Sequence, residues 1–260
     1  MQDLNITLIQ SSLHWENIDA NLNMFDDKIA SVPNNSTDII VLPEMFNTGF
    51  TMNAYSFFEE MNGKTFHWMQ AVAKEKNCVF TGSIIIKEYD HYFNRLIWMR
   101  PDGSFEIYNK RHLFRMANED ATYTIGEERL IVELNGWKIC PLICYDLRFP
   151  VWCRNRKDYD VLIFVANWPE RRIFAWKQLL IARAIENQSY VIGVNRVGED
   201  GKGIIHSGDS VALDFMGASL SKIIPHKEMI ETVTLSYRNL EDYRALFPVA
   251  LDADEFTIKQ

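Results

Sequence analysis

Trp137-Lys138-Ile139-Cys140-Pro141-Leu142-Ile143-Cys144-Tyr145-Asp146-Leu147-Arg148-Phe149-Pro150 reads as an apolar strand that halts at a thiol and then turns polar. A strand end beside a sharp turn presents one side chain to a pocket while the sheet holds it still, so Cys144 is placed as a nucleophile would be. An inert core residue fits the same position, because free cysteine is among the most buried residue types. Which reading holds depends on whether the rest of the chain supplies a base and a partner for an oxyanion.

Outward from this segment, strand and helix patterns alternate. Asn135-Gly136 divides residues 130–134 from residues 137–143, and Pro101-Asp102-Gly103 divides residues 95–99 from residues 104–108, both hairpin signals. Further strands are expected over residues 4–10, 38–43, 78–86, 160–166, 190–197 and 230–235. Helices are expected over residues 17–32, where Ile18, Leu22, Phe25 and Ile29 share a face, over residues 66–76, near Phe149-Pro150, from about 173 to 188, and over residues 240–246. A Gly-rich turn and a hairpin at residues 214–217 precede the last strand, and residues 250–260 form a tail with no core pattern. No linker, repeat or low-complexity tract divides the chain, so residues 1–260 are expected to form a single domain. Mixed strands with helices at intervals predict sheets covered by helices, an α/β layered fold.

Composition narrows the function classes. A chain of 260 residues with 47% hydrophobic and 13% aromatic residues can bury a full core and is far from a disordered composition. Its net charge of −8 argues against general nucleic-acid binding, and an anionic ligand would need local arginines against that field. The start, Met-Gln-Asp-Leu-Asn-Ile-Thr-Leu-Ile, has no basic segment before an apolar one, so no signal peptide is visible, and no run approaches the ~20 apolar residues of a membrane span. Four cysteines without a signal suit a reducing cytoplasm, which is the expected location, without membrane or nucleic-acid partners. Cys140 and Cys144 lack an accompanying CxxC pair or histidine cluster, so no metal site is expected, and a thiol redox role lacks a resolving cysteine.

In layered α/β folds functional groups gather at strand ends. Besides Cys144, that rule selects Glu44 after Ile39-Ile40-Val41-Leu42-Pro43, Lys110 after residues 105–109, and Asn167-Trp168. Taken singly, Glu44 suits a solvated loop acid, and Lys110 a surface lysine beside Arg111. Together they complete a chemical set. A thiol with an ordinary pKa of about 8.5 needs a base to act at neutral pH, a carboxylate in an apolar setting can take and return that proton, and an ammonium can hold the charge developing on a carbonyl oxygen.

These residues carry a resemblance. Leu42-Pro43-Glu44-Met45-Phe46, Tyr108-Asn109-Lys110-Arg111-His112-Leu113-Phe114 and Ile143-Cys144-Tyr145-Asp146-Leu147-Arg148-Phe149-Pro150 resemble the Glu, Lys and Cys motifs of the nitrilase superfamily, in that order and with fitting separations. The likeness runs from the first strand to Phe247-Pro248. It implies a four-layer α-β-β-α sandwich and a Glu44-Lys110-Cys144 triad hydrolysing non-peptide carbon–nitrogen bonds. Asn167-Trp168-Pro169, Ala182-Arg183-Ala184-Ile185-Glu186-Asn187-Gln188, Gly193-Val194-Asn195-Arg196-Val197-Gly198 and Gly208-Asp209-Ser210 are similar to the omega-amidase branch, which deamidates 2-oxoglutaramate and related ω-amides such as succinamate. Members carry a second glutamate after the lysine. Glu119 is the nearest match, with Glu127 and Glu128 following, and relatives usually form dimers, so a homodimer is implied.

The implied mechanism is acyl transfer through a Cys144 thioester, with Glu44 moving the proton and Lys110 and the Tyr145 backbone N–H stabilising the oxyanion, using water and no metal or organic cofactor. Phe46, Phe114, Tyr145 and Trp168 flank these residues and are expected to make a narrow pocket, although each also suits an ordinary core. A substrate carboxylate would need a bidentate donor, for which Arg148 is the first candidate and Arg171 and Arg172 are others. His112 has no place in this mechanism and reads as structural. Rival readings are an N-carbamoyl amidase, a nitrilase, or a non-catalytic binding module of the same fold.

Overall fold

Strand periodicity sorts the apolar residues of this chain into layers. In the computed structural model, which describes residues 2–258, six strands form one sheet in the order β13 (Met229–Leu235), β1 (Leu4–Gln10), β2 (Ile39–Val41), β3 (Val79–Glu88), β4 (His91–Met99) and β5 (Phe105–Asn109). Five form a second, in the order β12 (Val211–Leu213), β9 (Tyr190–Asn195), β8 (Val161–Ala166), β7 (Trp137–Ile143) and β6 (Val132–Leu134), while β10 (Val197–Glu199) and β11 (Ile205–Ser207) make a separate ribbon.

Successive residues of a strand point to opposite faces. Ile39 and Val41 of β2 and Leu96 and Trp98 of β4 therefore share one buried cluster with Ile139, Leu142 and Phe164 of the second sheet. Ile40, Ile97 and Met99 face the other way, onto Leu22, Phe25 and Ile29 of the helix Ile18–Ala30 and Met69 and Ala73 of the helix Lys64–Lys76. The first of these helices is capped by Asn17, whose Oδ1 accepts from Ala20 N at 3.0 Å. On the far side, the helix Ile173–Asn187 lays Trp176, Leu180 and Ala184, four residues apart, against the second sheet. Helix, sheet, sheet, helix is the four-layer sandwich expected from the motifs.

Strand direction then gathers the strand ends. β2 runs parallel to β3, β4 antiparallel to β3, and β5 antiparallel to β4, so β2 and β5 leave their sheet at the same edge. β7, β8 and β9 are mutually parallel, so the residues after β7 and β8 emerge side by side as well.

Several boundaries differ from the sequence expectation: the last helix begins at Tyr237 rather than residue 240, and β3 runs on to Glu88 rather than residue 86. β4 begins at His91 rather than residue 95, and pairs with β3 as far as Glu88↔His91 across a turn at Tyr89 and Asp90, where Tyr89 has φ +53°. Polar Asp90, His91 and Asn94 gave that stretch the look of a loop. The tail opens with a 3-10 turn, Val249–Leu251, and returns Ile258 to the core beside Trp152. Residues 259 and 260 lie outside the described residues. Among the described residues no helix is long and apolar enough to cross a membrane.

Gly193 in β9 lets the helix close onto the second sheet. A Cβ there would lie 2.7 Å from Leu180 Cδ1 and 2.8 Å from Trp176 Cζ2. Gly193→Ala is expected to cost about 1–3 kcal/mol of stability by overpacking, read as a lower guanidinium midpoint at unchanged slope.

Candidate active site

The strand ends that carry Glu44 and Cys144 are strained turns pinned by hydrogen bonds. Past β2, Leu42 N still reaches Thr81 O at 2.8 Å, then Met45 takes φ +43° while its N–H donates to Ser83 Oγ at 2.9 Å. That fixes Glu44 between a ladder bond and a side-chain bond. Cys144, directly after β7, also has φ +43°, a conformation that costs a non-glycine residue of the order of 1 kcal/mol or more. Asp146 holds this turn. Its Oδ2 accepts from Ile143 N at 3.1 Å and Tyr108 Oη at 2.7 Å, and its Oδ1 accepts from His112 N at 3.0 Å. Because Tyr108 belongs to β5, the turn bearing Cys144 is tied across the sandwich to the strand bearing Lys110. From the helical side, Arg183 Nη2 donates to Leu147 O at 2.7 Å.

The two strand ends of the first sheet meet in a buried charge cluster. Lys110 Nζ donates to Glu44 Oε1 at 2.8 Å and to Glu119 Oε1 and Oε2 at 2.8 and 3.0 Å. All three side chains are essentially inaccessible to solvent. Asn94 Nδ2 adds bonds to Glu44 Oε1 at 2.8 Å and to Glu119 Oε1 at 3.4 Å, Asn167 N donates to Glu44 Oε2 at 2.9 Å, and Phe114 N donates to Glu119 Oε2 at 2.5 Å. Burial alone would push the Lys110 ammonium toward neutrality, but Glu119 and Glu44 outweigh it and hold its pKa above the ordinary lysine value. Burial raises Glu119, opposed by the charge of Lys110. The Cys144 thiol is pushed well above its usual value, first by burial and then by the Glu44 charge, with Lys110 pulling the other way. That direction favours the thiol over the thiolate.

Glu44, Lys110 and Cys144 line one cavity of about 340 Å³. Phe114, Tyr145, Arg148 and Trp168 contribute to its wall. Arg148 lies 4.9 Å over the Trp168 ring and Arg172 lies 4.9 Å over the Phe114 ring. Arg171 also borders the cavity, so all three candidate arginines surround it. Glu119 stands behind Lys110, whereas Glu127 and Glu128 border a different depression with Arg129 and Thr257. His112 is structural. Its Nδ1 lies 2.8 Å from Asp146 Oδ1 and its ring stacks on Phe149 at 3.7 Å.

Phe46 is the exception. The left-handed turn at Met45 sends it away from the cavity into the layer between sheet and helix, with ring centroids 5.7 Å from Phe25 and 5.8 Å from Trp68. Phe50 lines the cavity instead, its ring 5.1 Å from Lys110 Nζ. Asn94 escaped the sequence reading altogether, and its only signal was parity. It shares the inward face of β4 with Leu96 and Trp98, where a polar residue stands out once the strand is known to start at His91. Asn195 secures the neighbouring loop, accepting from Trp168 N at 2.7 Å and donating to Trp168 O at 3.0 Å. Among the described residues no three His, Cys, Asp or Glu side chains converge so as to hold a metal ion.

Comparison with known proteins places this site in a lineage. The family model described as carbon-nitrogen hydrolase matches residues 5–245. The chain is 44% identical over 258 residues to omega-amidase YafV of Escherichia coli, covering 99% of this chain and all of that one. It is 34% identical over 190 residues to the 2-oxoglutaramate amidase of Bacillus subtilis, covering 71% and 73% of the two chains. Among solved structures, XC1258 of Xanthomonas campestris, described as a CN-hydrolase superfamily protein with an arsenic adduct in the active site, superposes with a TM-score of 0.97 over the whole of both chains at 43% identity. Nit3 of Saccharomyces cerevisiae, of the nitrilase superfamily, shares the fold at a TM-score of 0.84 and 23% identity, covering 95% of each chain. With the family model spanning nearly its whole length, this chain belongs to the carbon-nitrogen hydrolase family.

Proposed function

We propose that this protein is an omega-amidase, a cysteine-dependent hydrolase that converts the terminal amide of small ω-amido acids of the 2-oxoglutaramate and succinamate type to the acid and ammonia. The observation that carries the reading is Lys110, ion-paired to Glu44 and Glu119, in the same cavity as the Cys144 thiol. The names of the relatives, omega-amidase over the full length and 2-oxoglutaramate amidase over 71% of this chain, support the substrate class. The family match over residues 5–245 supports one catalytic domain. The four free, buried cysteines suit the cytoplasm, and a homodimer is the assembly the family resemblance implies.

In this mechanism Glu44 takes the thiol proton as the sulfur electron pair attacks the amide carbon. The carbonyl π pair moves onto oxygen, where Lys110 and the Tyr145 backbone N–H receive it. Before the transfer the negative charge sits on Glu44, and afterwards on the oxyanion, so Lys110 faces an anion throughout. Collapse of the intermediate passes the proton from Glu44 to nitrogen, ammonia leaves, and a thioester remains. Water, deprotonated by Glu44, attacks it, and the acid departs as the thiol regains its proton. Glu119 keeps Lys110 charged. Arg148 and Arg172, on the rim over Trp168 and Phe114, are the donors for the substrate carboxylate.

Four outcomes test this reading. Cys144→Ala should lower ammonia release from succinamate by about 10⁴-fold or more and abolish hydroxamate formation with hydroxylamine. Turnover of nitriles or N-carbamoyl acids in place of ω-amides would transfer the chain to another branch. Arg148→Ala and Arg172→Ala should each raise KM for succinamate roughly 10- to 100-fold, the worth of a charge-assisted hydrogen bond, while leaving uncharged butyramide unaffected. Thiolate absorbance at 240 nm, taken as the difference from Cys144→Ala, should appear only at a pH above that of free cysteine. Because the Glu44 charge raises that pKa, the midpoint should fall in Glu44→Gln.

A further inference from the structure

The two oxygens of the Glu44 carboxylate are held by different donors. Oε1 accepts from Lys110 Nζ and from Asn94 Nδ2, both at 2.8 Å, which occupies both of its lone-pair directions. Oε2 accepts from Asn167 N at 2.9 Å, which leaves its second lone pair for the Cys144 thiol, whose hydrogen bond to Glu44 helps to raise the thiol's pKa. We propose that Oε2 is the atom that carries the proton between Cys144 and the leaving nitrogen, and that Asn94 is the positioning residue that assigns it that role. This rests on Glu44 being the base of the reaction proposed above.

Asn94 is fully buried on the inward face of β4. Its amide nitrogen faces two carboxylates, Glu44 at 2.8 Å and Glu119 at 3.4 Å, and its backbone carbonyl accepts from Lys110 N at 3.0 Å. Turning the amide over would aim its oxygen at both acids, so the acids fix its orientation. Its own Oδ1 has no hydrogen-bond partner among the described residues, an arrangement that stability alone does not favour. The side chain therefore spaces the two carboxylates, while the backbone carbonyl of the same residue ties the Lys110 main chain beside them.

The assignment explains how Lys110 comes to serve the oxyanion. Its ammonium has three N–H groups, and they point to Glu44 Oε1, Glu119 Oε1 and Glu119 Oε2. When S–H breaks and Oε2–H forms, Glu44 becomes neutral and the charge-assisted bond from Lys110 to Oε1 weakens. In the same step the sulfur pair forms the S–C bond and the π pair moves to oxygen. A Lys110 donor is released as the oxyanion appears. Asn94, anchored to β4, keeps Oε1 in place and Oε2 aimed at the sulfur.

Asn94→Leu removes both donors at similar volume, and Asn94→Ser is too short to span the two acids. Each is expected to lower kcat for succinamate about 10- to 100-fold, the cost of a small misplacement of a reacting group. KM should stay unchanged, and the acid limb of the kcat/KM profile should move to higher pH, since the carboxylate loses a donor that favours its charged form. Near-UV circular dichroism establishes folding, and Asn94→Ser decides should Asn94→Leu not fold. Glu44→Gln is assayed in parallel. Full turnover in Glu44→Gln would remove the reaction itself. An inactive Glu44→Gln beside a folded Asn94 variant with wild-type kcat and an unmoved acid limb would overturn the role of Asn94 alone. A lower unfolding temperature with an unmoved acid limb would do the same, as it marks a purely structural residue.

Discussion

A lysine ammonium buried between two carboxylates is the constraint on which the rest of this site depends. Ions withdrawn from water carry a penalty of several kcal/mol each, recovered only when partners and hydrogen bonds are well placed. Lys110, Glu44 and Glu119 meet that condition through Asn94, Asn167 N and Phe114 N, each of which serves a carboxylate oxygen. The cluster lies in a pocket whose rim carries Arg148, Arg171 and Arg172. Such a cluster adds little to stability. What it does is hold a carboxylate and an ammonium on the wall of the cavity that the Cys144 thiol also lines.

The sandwich makes that contact possible by dividing the parts between two sheets. The first sheet contributes Glu44, Asn94 and Lys110, and the second contributes Cys144 and Asn167. Apolar packing between Trp98 and Leu96 on one side and Ile139 and Leu142 on the other sets the sheets face to face. The bond from Tyr108 to Asp146 then locks the lysine strand to the cysteine turn. Left-handed backbone at both Met45 and Cys144 shows that each turn is held by its surroundings rather than by local preference.

Much of the site was legible because strand ends are local events. The apolar runs before Glu44, Lys110 and Cys144 stop in the sequence itself, and the chemistry of the three groups is complementary. Glu119 came only through the family resemblance, since nothing local distinguishes it from Glu127 or Glu128. Phe46 was misread because adjacency to Glu44 says nothing about direction, and the positive φ of Met45 turned the ring into the helix layer while Phe50 took its place. Asn94 was invisible because its strand begins in polar residues, so its inward parity could not be counted.

By itself the sequence determined the alternation of elements, the layered fold, the three reactive groups and their order along the chain. These follow from periodicity and residue chemistry, which are properties of neighbours in the chain. Only the tertiary structure decided which carboxylate oxygen Lys110 and Asn94 occupy, which aromatic rings wall the cavity, and which arginines reach its rim. Those depend on the register between strands and the facing of two sheets, where partners lie 38 residues apart for Tyr108 and Asp146 and 123 for Glu44 and Asn167. The proposed nucleophile was a local reading of a strand that ends in a thiol. Its environment was a global one, set by how two sheets close on each other.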